Sequence, residues 1–307
     1  MPTTAPVDGS RATMPSTRSA RSLRLLAVHA HPDDESSKGA ASLARYAHAG
    51  AGVLVATCTG GERGSILNPR LVDDPELNAD LAAARRREMA AAAAALGVRH
   101  VWLGFVDSGY PEPDLDGARP PLPERCFASL PLEQAAAPLV ELVRQFRPQV
   151  VVTYDENGGY PHPDHVMTHR VAVEAFEAAG DPRRYPGASA PWTPSKLYYV
   201  QTFSRPRIQA LHEAIVSTGR PSPYADRLAA WGDRPDRRVT TRVPVADFFD
   251  QRDAALRAHA SQVDPDGGWF AVPRDIERRV WPTEDYELAA SRVPVAVEED
   301  DLFAGVM

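Results

Sequence analysis

The sequence predicts an α/β chain: a Rossmann-like, doubly wound, mainly parallel sheet with an irregular C-terminal capping region. Short apolar, β-branched runs recur at residues 23–28, 53–59, 100–105, 150–154 and 196–200. Segments of helical composition or 3–4 apolar spacing lie between them. The connections are long enough for the right-handed crossovers that parallel strands require.

Residues 1–22, rich in Ser, Thr, Pro, Ala and Arg without periodicity, are expected to form a disordered leader, with Met14 an alternative start. After the first strand, small helix-compatible residues at 37–46 run toward Gly50, where a helix takes its C-terminal glycine. The strand at 53–59 completes a βαβ unit. A helix at 78–96 follows, because alanines at 90–95 have high helix propensity and Gly97 closes the run. The strand at 100–105 opens into a long Pro-rich loop reaching Pro131, a length typical of functional segments. A helix at 132–146 places Leu139, Leu142, Val143 and Phe146 on one face and ends before Pro148; Pro138 is read as its true first turn. The strand at 150–154 leads to a helix at 165–179, stopped by Gly180 and Pro182, and then to the strand at 196–200. Beyond it a helix at 207–216, a strand at 239–245 and a helix at 248–260 precede a Trp-, Pro- and charge-rich tail. The expected division is a leader at 1–22, a core at 23–201, and a capping and substrate region at 202–307 in the same domain or a small subdomain.

With 307 residues and a formal net charge of -7, the composition is that of a soluble globular protein, not of a nucleic-acid or anionic-membrane binder. No apolar run approaches the roughly 20 residues of a membrane helix, and the N-terminus lacks the apolar centre of a secretory signal. Two cysteines, Cys58 and Cys126, are too few for a disulfide framework, so a reduced, cytoplasmic protein is expected. Cys58 sits in an apolar strand, a poor place for a nucleophile. The oligomeric state is not legible.

Chemistry concentrates in HAHPDDE, His29 to Glu35, behind the first strand, and in YPHPDH, Tyr160 to His165, behind the fourth. Doubly wound sheets bind ligands outside the carboxyl ends of their strands, and strands one and four flank the point where the winding reverses. The two stretches are therefore expected to meet in one crevice and share a metal. His31, Asp34 and His165 make a nitrogen-oxygen-nitrogen set suited to zinc with positions open for water; iron(II) accepts the same set. Consecutive side chains seldom project the same way, which leaves Asp33 free to take a proton from water. His162 is placed either to stabilise an oxyanion or to protonate a leaving amine, Tyr160 to donate a hydrogen bond to the oxyanion, and Asp164 to hold an imidazole. His29, about 6–7 Å deeper along the strand, belongs to the core or behind the ligands. Glu35, Asp155 and Glu156 are expected to cap helices or line loops, and the glycine-rich loop at 60–64, which lacks either nucleotide fingerprint, to form a turn.

HAHPDDE together with GGYPHPDH resembles the zinc-dependent de-N-acetylases of the PIG-L/LmbE type, and the pair of motifs is highly specific. The similarity is stronger still to the mycothiol S-conjugate amidases. It runs through TGGERGSILNP, LGFVDSG, TYDENGGYPHPDH, SKLYYV, QRDAALRAHASQVDP and WPTEDYELAASRVP, essentially everything after the leader. This resemblance implies metal ligands at His31, Asp34 and His165, the general base at Asp33, an electrostatic or acid histidine at His162 and a mobile tyrosine at Tyr160. It also implies sugar and inositol contacts at Arg85 and Asp107. Without it Arg85 reads as a solvated helix charge, with Arg86 and Arg87 competing for its register. The implied activity is metal-dependent hydrolysis of the glucosamine amide of a mycothiol S-conjugate, a small thiol-sugar substrate, giving a mercapturic-acid-type product and glucosaminyl-inositol.

The rivals are an N-acetyl-glucosaminyl-inositol deacetylase, a thiosugar amidase of natural-product biosynthesis, and a silent binding protein, against which the intact Asp33 argues. An S-conjugate needs an open groove on its acyl side where an acetyl group needs a small pocket. Lys38 is expected near the conjugate's carboxylate or acyl chain. The segment at 239–294, with Trp269, Phe270, Trp281 and Tyr286, is expected to wall that groove, against the competing expectation of a structural core.

Overall fold

The computed structural model describes residues 23–111, 120–232 and 235–306, so the expected leader lies outside the described residues. Its strands are β1 (Arg24–His29), β2 (Gly52–Thr59), β3 (Arg99–Phe105), β4 (Val150–Thr153), β5 (Lys196–Val200), β6 (Thr241–Pro244) and β7 (Thr283–Ser291). They form one sheet in the order β3-β2-β1-β4-β5-β7-β6. The four pairings among β1 to β5 are parallel, and β7 runs antiparallel to both β5 and β6. The helices are α1 (Asp34–Ser37), α2 (Ala40–His48), α3 (Pro75–Ala79), α4 (Leu81–Leu96), α5 (Leu132–Phe146), α6 (Pro163–Ala178), α7 (Arg205–Val216), α8 (Ala225–Ala229), α9 (Phe249–Ala258) and α10 (Arg274–Val280).

Alternation along the strands explains the layers. Leu26, Val28, Leu54 and Val151 pack on one side against Leu139 and Val143 of α5 and Val171 and Phe176 of α6. Their neighbours Leu25, Ala27, Val53 and Val150 pack on the other against Leu43 of α2, Met89 of α4 and Phe249 of α9. With both faces covered, the parallel strands carry near-continuous apolar runs, which is why they were readable.

Four departures have local causes. The helix expected at 37–46 is α2, which begins only at Ala40, because Gly39, whose φ is +89 and where a Cβ would lie 2.9 Å from Tyr286 Oη, separates it from the short α1. The helix expected at 78–96 is two: Asp80 breaks it and caps α4 by accepting the Ala83 N–H at 2.9 Å. Pro138 lies inside α5, not at its first turn. The carbonyl it leaves without a donor belongs to exposed Gln134, where water can serve it. Finally, the tail contains β7, so residues 202–307 extend the sheet as well as covering its edge. The charges of β7 hid it, but each has a role. Glu284 accepts the N–H groups of Ala41 and Ser42 at the start of α2, at 3.1 and 2.7 Å, and Asp285 accepts Trp281 Nε1–H at 3.0 Å.

Candidate active site

Because β1 and β4 pair directly, the segments that leave their carboxyl ends meet. Tyr154 joins them: its hydroxyl accepts the Ala30 N–H at 2.9 Å, lies 3.2 Å from His29 Nδ1, and its ring stacks on His165 at 4.4 Å. The sequence marked Tyr154 only as a strand end. His29 itself is buried behind it, as expected, and burial holds its imidazole down to about 4. His165 sits in the first turn of α6, which His162 caps by accepting the Asp164 N–H at Nδ1, 3.1 Å away. The His165 Nδ1–H donates to the Gly158 carbonyl at 2.9 Å. Only glycine fits at 158, where φ is +73 and a Cβ would stand 2.5 Å from His165 Cβ.

The ligand-type atoms of His31, Asp34 and His165 lie within 4.8 Å of one another. Asp34 Oδ2 is 3.3 Å from His165 Nε2 and 3.7 Å from His31 Nδ1. With its Nδ1–H committed to Gly158, His165 presents a lone pair at Nε2, which is buried and has no hydrogen-bond partner. That orphaned nitrogen, a carboxylate and a second imidazole suit a divalent metal ion. His31, Asp107 and His162 form an overlapping group, but Asp107 already accepts the N–H groups of Arg63 and Gly109 at 2.9 and 2.8 Å, and His162 Nδ1 is taken. The orphan belongs to the first group. The electrostatics also favour a cation. Burial works against it, yet the carboxylates of Asp107 and Asp164, the latter 3.2 Å from Nε2, raise His31 to about 10. Burial likewise opposes ionisation of Asp34, but His165 and the Lys38 ammonium, 2.5 Å from Oδ1, hold it well below the usual carboxylate range.

Asp33 adopts φ 114, ψ -25, unusual for a residue with a side chain and a mark of local strain. Burial and then the neighbouring charge of Asp34 push its half-buried carboxyl up to about 6. Its N–H donates to Glu35 Oε2 at 3.1 Å. Glu35 neither caps a helix nor lines a loop: it is fully buried and pairs with His259 Nε2 at 2.7 Å, which, against the effect of burial, depresses it to about 2. Asp155 and Glu156 do lie in the loop after β4. Burial and the charge of His31 lower His162 to about 3, so it is neutral, and with Nδ1 accepting, its Nε2 carries the proton. Tyr160, 45% exposed, stands at the rim with its ring 4.4 Å from that of His165. Tyr110 stacks on His162 at 5.3 Å; nothing in its sequence context marks it.

Arg85 is 2% exposed, whereas Arg86 and Arg87 are exposed, which settles the register. Its guanidinium donates to the carbonyls of Gly61 and Ser65. The 60–64 loop is thus a turn wrapped on Arg85: a Cβ at Gly61 or Gly64 would lie 2.5 or 2.7 Å from Nη1. Asp107 lies across that loop, 3.6 Å from His31 Nε2. Lys38 binds Asp34 and lines a cavity of about 500 Å³ together with Tyr154, Tyr160, Phe203 and Trp269. Of the aromatics expected to wall a groove, Trp269 does so. Tyr286 is core, Trp281 packs on the Leu211–Ile276 cluster, and Phe270 lies under the Arg257 guanidinium. Burial pushes the Cys58 thiol up to about 12, consistent with an inert residue.

Residues 26–176 match the PIG-L family, described as GlcNAc-PI de-N-acetylase. Over 288 residues the chain is 57% identical to the mycothiol S-conjugate amidase of Streptomyces coelicolor, covering 92% of this chain and 97% of that one. The chain belongs to the PIG-L family. It is also 41% identical over 292 residues to a 1D-myo-inositol 2-acetamido-2-deoxy-alpha-D-glucopyranoside deacetylase of Geodermatophilus obscurus, covering 93% and 98%. The N,N'-diacetylchitobiose deacetylase from Pyrococcus horikoshii shares the fold, with a TM-score of 0.59 at 20% identity over 86% of this chain and 83% of that one. This PIG-L member is accordingly a hydrolase of amide bonds, and its His/Asp/His group fits a metal. No helix among the described residues is long and apolar enough to cross a membrane.

Proposed function

We propose that this PIG-L hydrolase cleaves the amide between the glucosamine nitrogen and the cysteinyl acyl carbon of a mycothiol S-conjugate, in the cytoplasm, giving a mercapturic-acid-type product and glucosaminyl-inositol. The observation that carries the reading is the 57% identity to an amidase of that name across nearly the whole of both chains, against 41% to a deacetylase. The cavity of about 500 Å³ beside Lys38 and Tyr160 supports it, because an acetyl group would leave most of that space unfilled.

In this reading His31, Asp34 and His165 hold zinc, or iron(II) in its place, and Asp164 fixes the His31 ring from behind. The metal supplies Lewis acidity toward water and the amide carbonyl. Asp33 takes the proton as the water oxygen adds to the acyl carbon, a task suited to a carboxyl whose affinity for protons burial has raised. The oxyanion receives hydrogen bonds from His162 Nε2–H and the Tyr160 hydroxyl. A neutral imidazole favours this donor role for His162 over delivery of a proton from an imidazolium. Asp33 then returns its proton to the departing nitrogen as the C–N bond breaks. The sugar and inositol side is formed by Asp107 and by the 60–64 loop that Arg85 holds from beneath, and Lys38 faces the acyl chain. Residues 23–201 supply the reaction centre, and 202–307, together with Lys38 and Tyr160, the acyl-side wall.

Steady-state assay of the purified protein on a fluorescent mycothiol conjugate and on N-acetyl-glucosaminyl-inositol tests the reading. A kcat/KM at least about tenfold higher on the conjugate is expected, ~1.4 kcal/mol of differential transition-state binding. Equal or better efficiency on the acetylated sugar would replace the amidase by the deacetylase.

A further inference from the structure

Two cavities of about 530 and 500 Å³ share a wall formed by Val200, Gln201, Thr202, Phe203, Arg227 and Trp269. The smaller opens on Lys38 and Tyr160, and so begins at the reaction centre. The larger continues past Gly39 and Leu256 toward Val272. Phe203 stands on the turn after β5, and Trp269 on a 3-10 turn (Gly268–Phe270) after α9. Their ring centroids are 5.7 Å apart at 36°, Phe203 is 38% exposed, and the Arg227 guanidinium lies 4.0 Å over the Phe203 ring. A partly exposed aromatic pair in the wall of two adjoining cavities offers an apolar binding surface.

We propose that Phe203 and Trp269 bind the thioether substituent of the conjugate and make the enzyme select flat aromatic substituents over small ones. This rests on the amidase reading. The glucosaminyl and inositol hydroxyls match the polar side of the centre, where Arg85, Asp107 and the 60–64 loop lie. The acyl side faces the cavities, and the substrate sulfur is only a short chain from the reacting carbon. A substituent entering there meets two aromatic faces and a cation already placed over one of them. Such faces reward a flat π-system by stacking beyond the area it buries. A methyl group reaches neither ring.

The test compares S-methyl and S-naphthylmethyl mycothiol as substrates of the wild type, Phe203→Ala and Trp269→Ala. Each substitution should lower kcat/KM on the naphthylmethyl conjugate by about tenfold, through KM, and leave the S-methyl conjugate within about twofold. Equal losses on both substrates, or none on the naphthylmethyl one, overturn the assignment. The wild type provides a readout independent of variant folding: the S-naphthylmethyl mercapturate should inhibit at least about tenfold more tightly than the S-methyl product. Equal inhibition overturns the assignment too. A wild type that cleaves only the acetylated sugar fails differently, since the amidase reading then falls and takes this site with it.

Discussion

Asp33→Asn should slow the enzyme and stabilise the protein at once. The Asp33 carboxyl, ordinarily near 3.8, is pushed up to about 6 by burial and by Asp34. A carboxyl with a higher folded than unfolded value resists ionisation in the fold, so it subtracts nothing below about pH 4, progressively more from there to pH 6, and its full penalty above. A difference of about two pH units, at ~1.4 kcal/mol each, gives at most ~3 kcal/mol, and partial solvent contact reduces this to about 1–3 kcal/mol. Asparagine removes the charge, keeps the shape and tolerates the left-handed backbone of this position. With unfolding entropy of roughly 2.1 cal/mol/K per residue, the metal-stripped variant should melt about 2–5 °C above metal-stripped wild type at pH 7.5, and level with it near pH 4. Loss of the base should cost turnover about 10²–10⁴-fold with metal content unchanged. Calorimetry, elemental analysis and steady-state assay read the three quantities. Near-wild-type turnover at any pH, or a loss of turnover accompanied by lower melting temperature and lost metal, would refute a positioned base at Asp33.

One divalent metal ion per chain should be found by elemental analysis, and His31→Ala and His165→Ala should each lose most of it; folded variants with full metal would sink the ligand set. His259→Leu leaves Glu35 buried without its cation and should cost about 3–5 kcal/mol in urea unfolding, with kcat falling more than KM because Glu35 holds the Asp33 N–H; unchanged kcat would limit the pair to stability. Lys196, fully buried, donates to both oxygens of Glu299 at 2.8 and 2.9 Å. Lys196→Met should destabilise by about 3–5 kcal/mol, and adding Glu299→Gln should restore more than half; a double variant no better than the single would refute the charge argument.

What could be read from the sequence was what local pattern encodes. The buried parallel strands are continuous apolar runs, and their order fixes the switch point, so the convergence of His31, Asp33 and Asp34 with His162 and His165 followed from topology. The burial of Arg85 did not: in an alanine-rich helix with three consecutive arginines, periodicity selects no face. The Glu35–His259 pair joins residues 224 apart with no motif linking them. Strand β7 was hidden because Glu284 and Asp285 interrupt the alternation that identifies strands, and only the tertiary contacts that satisfy those charges reveal why they are tolerated. Trp281 and Tyr286 looked like groove residues because aromatic type alone does not distinguish a binding wall from a core.

In the proposed reading the acyl-side cavity draws on both parts of the chain, Lys38 and Tyr160 from one and Phe203 and Trp269 from the other. Every candidate ligand, the candidate base, Arg85 and Asp107 fall within residues 26–176, the stretch matching the family, whereas Phe203, Arg227 and Trp269 lie beyond it. Substitution at Phe203 or Trp269 can therefore change the acyl side while leaving the candidate ligands and base in place. Yet the later segment is not a detachable lid. Strand β7 enters the sheet between β5 and β6, its Glu284 binds the first turn of α2, and His259 holds the carboxylate that holds the Asp33 N–H. A backbone at φ 114 costs on the order of 1–3 kcal/mol and persists only where surrounding contacts impose it. One of those contacts comes from His259, beyond the stretch that matches the family. Loss of the His259 contact would thus loosen the backbone at Asp33, so that the segment beyond residue 201 supports the geometry of the candidate base as well as the fold.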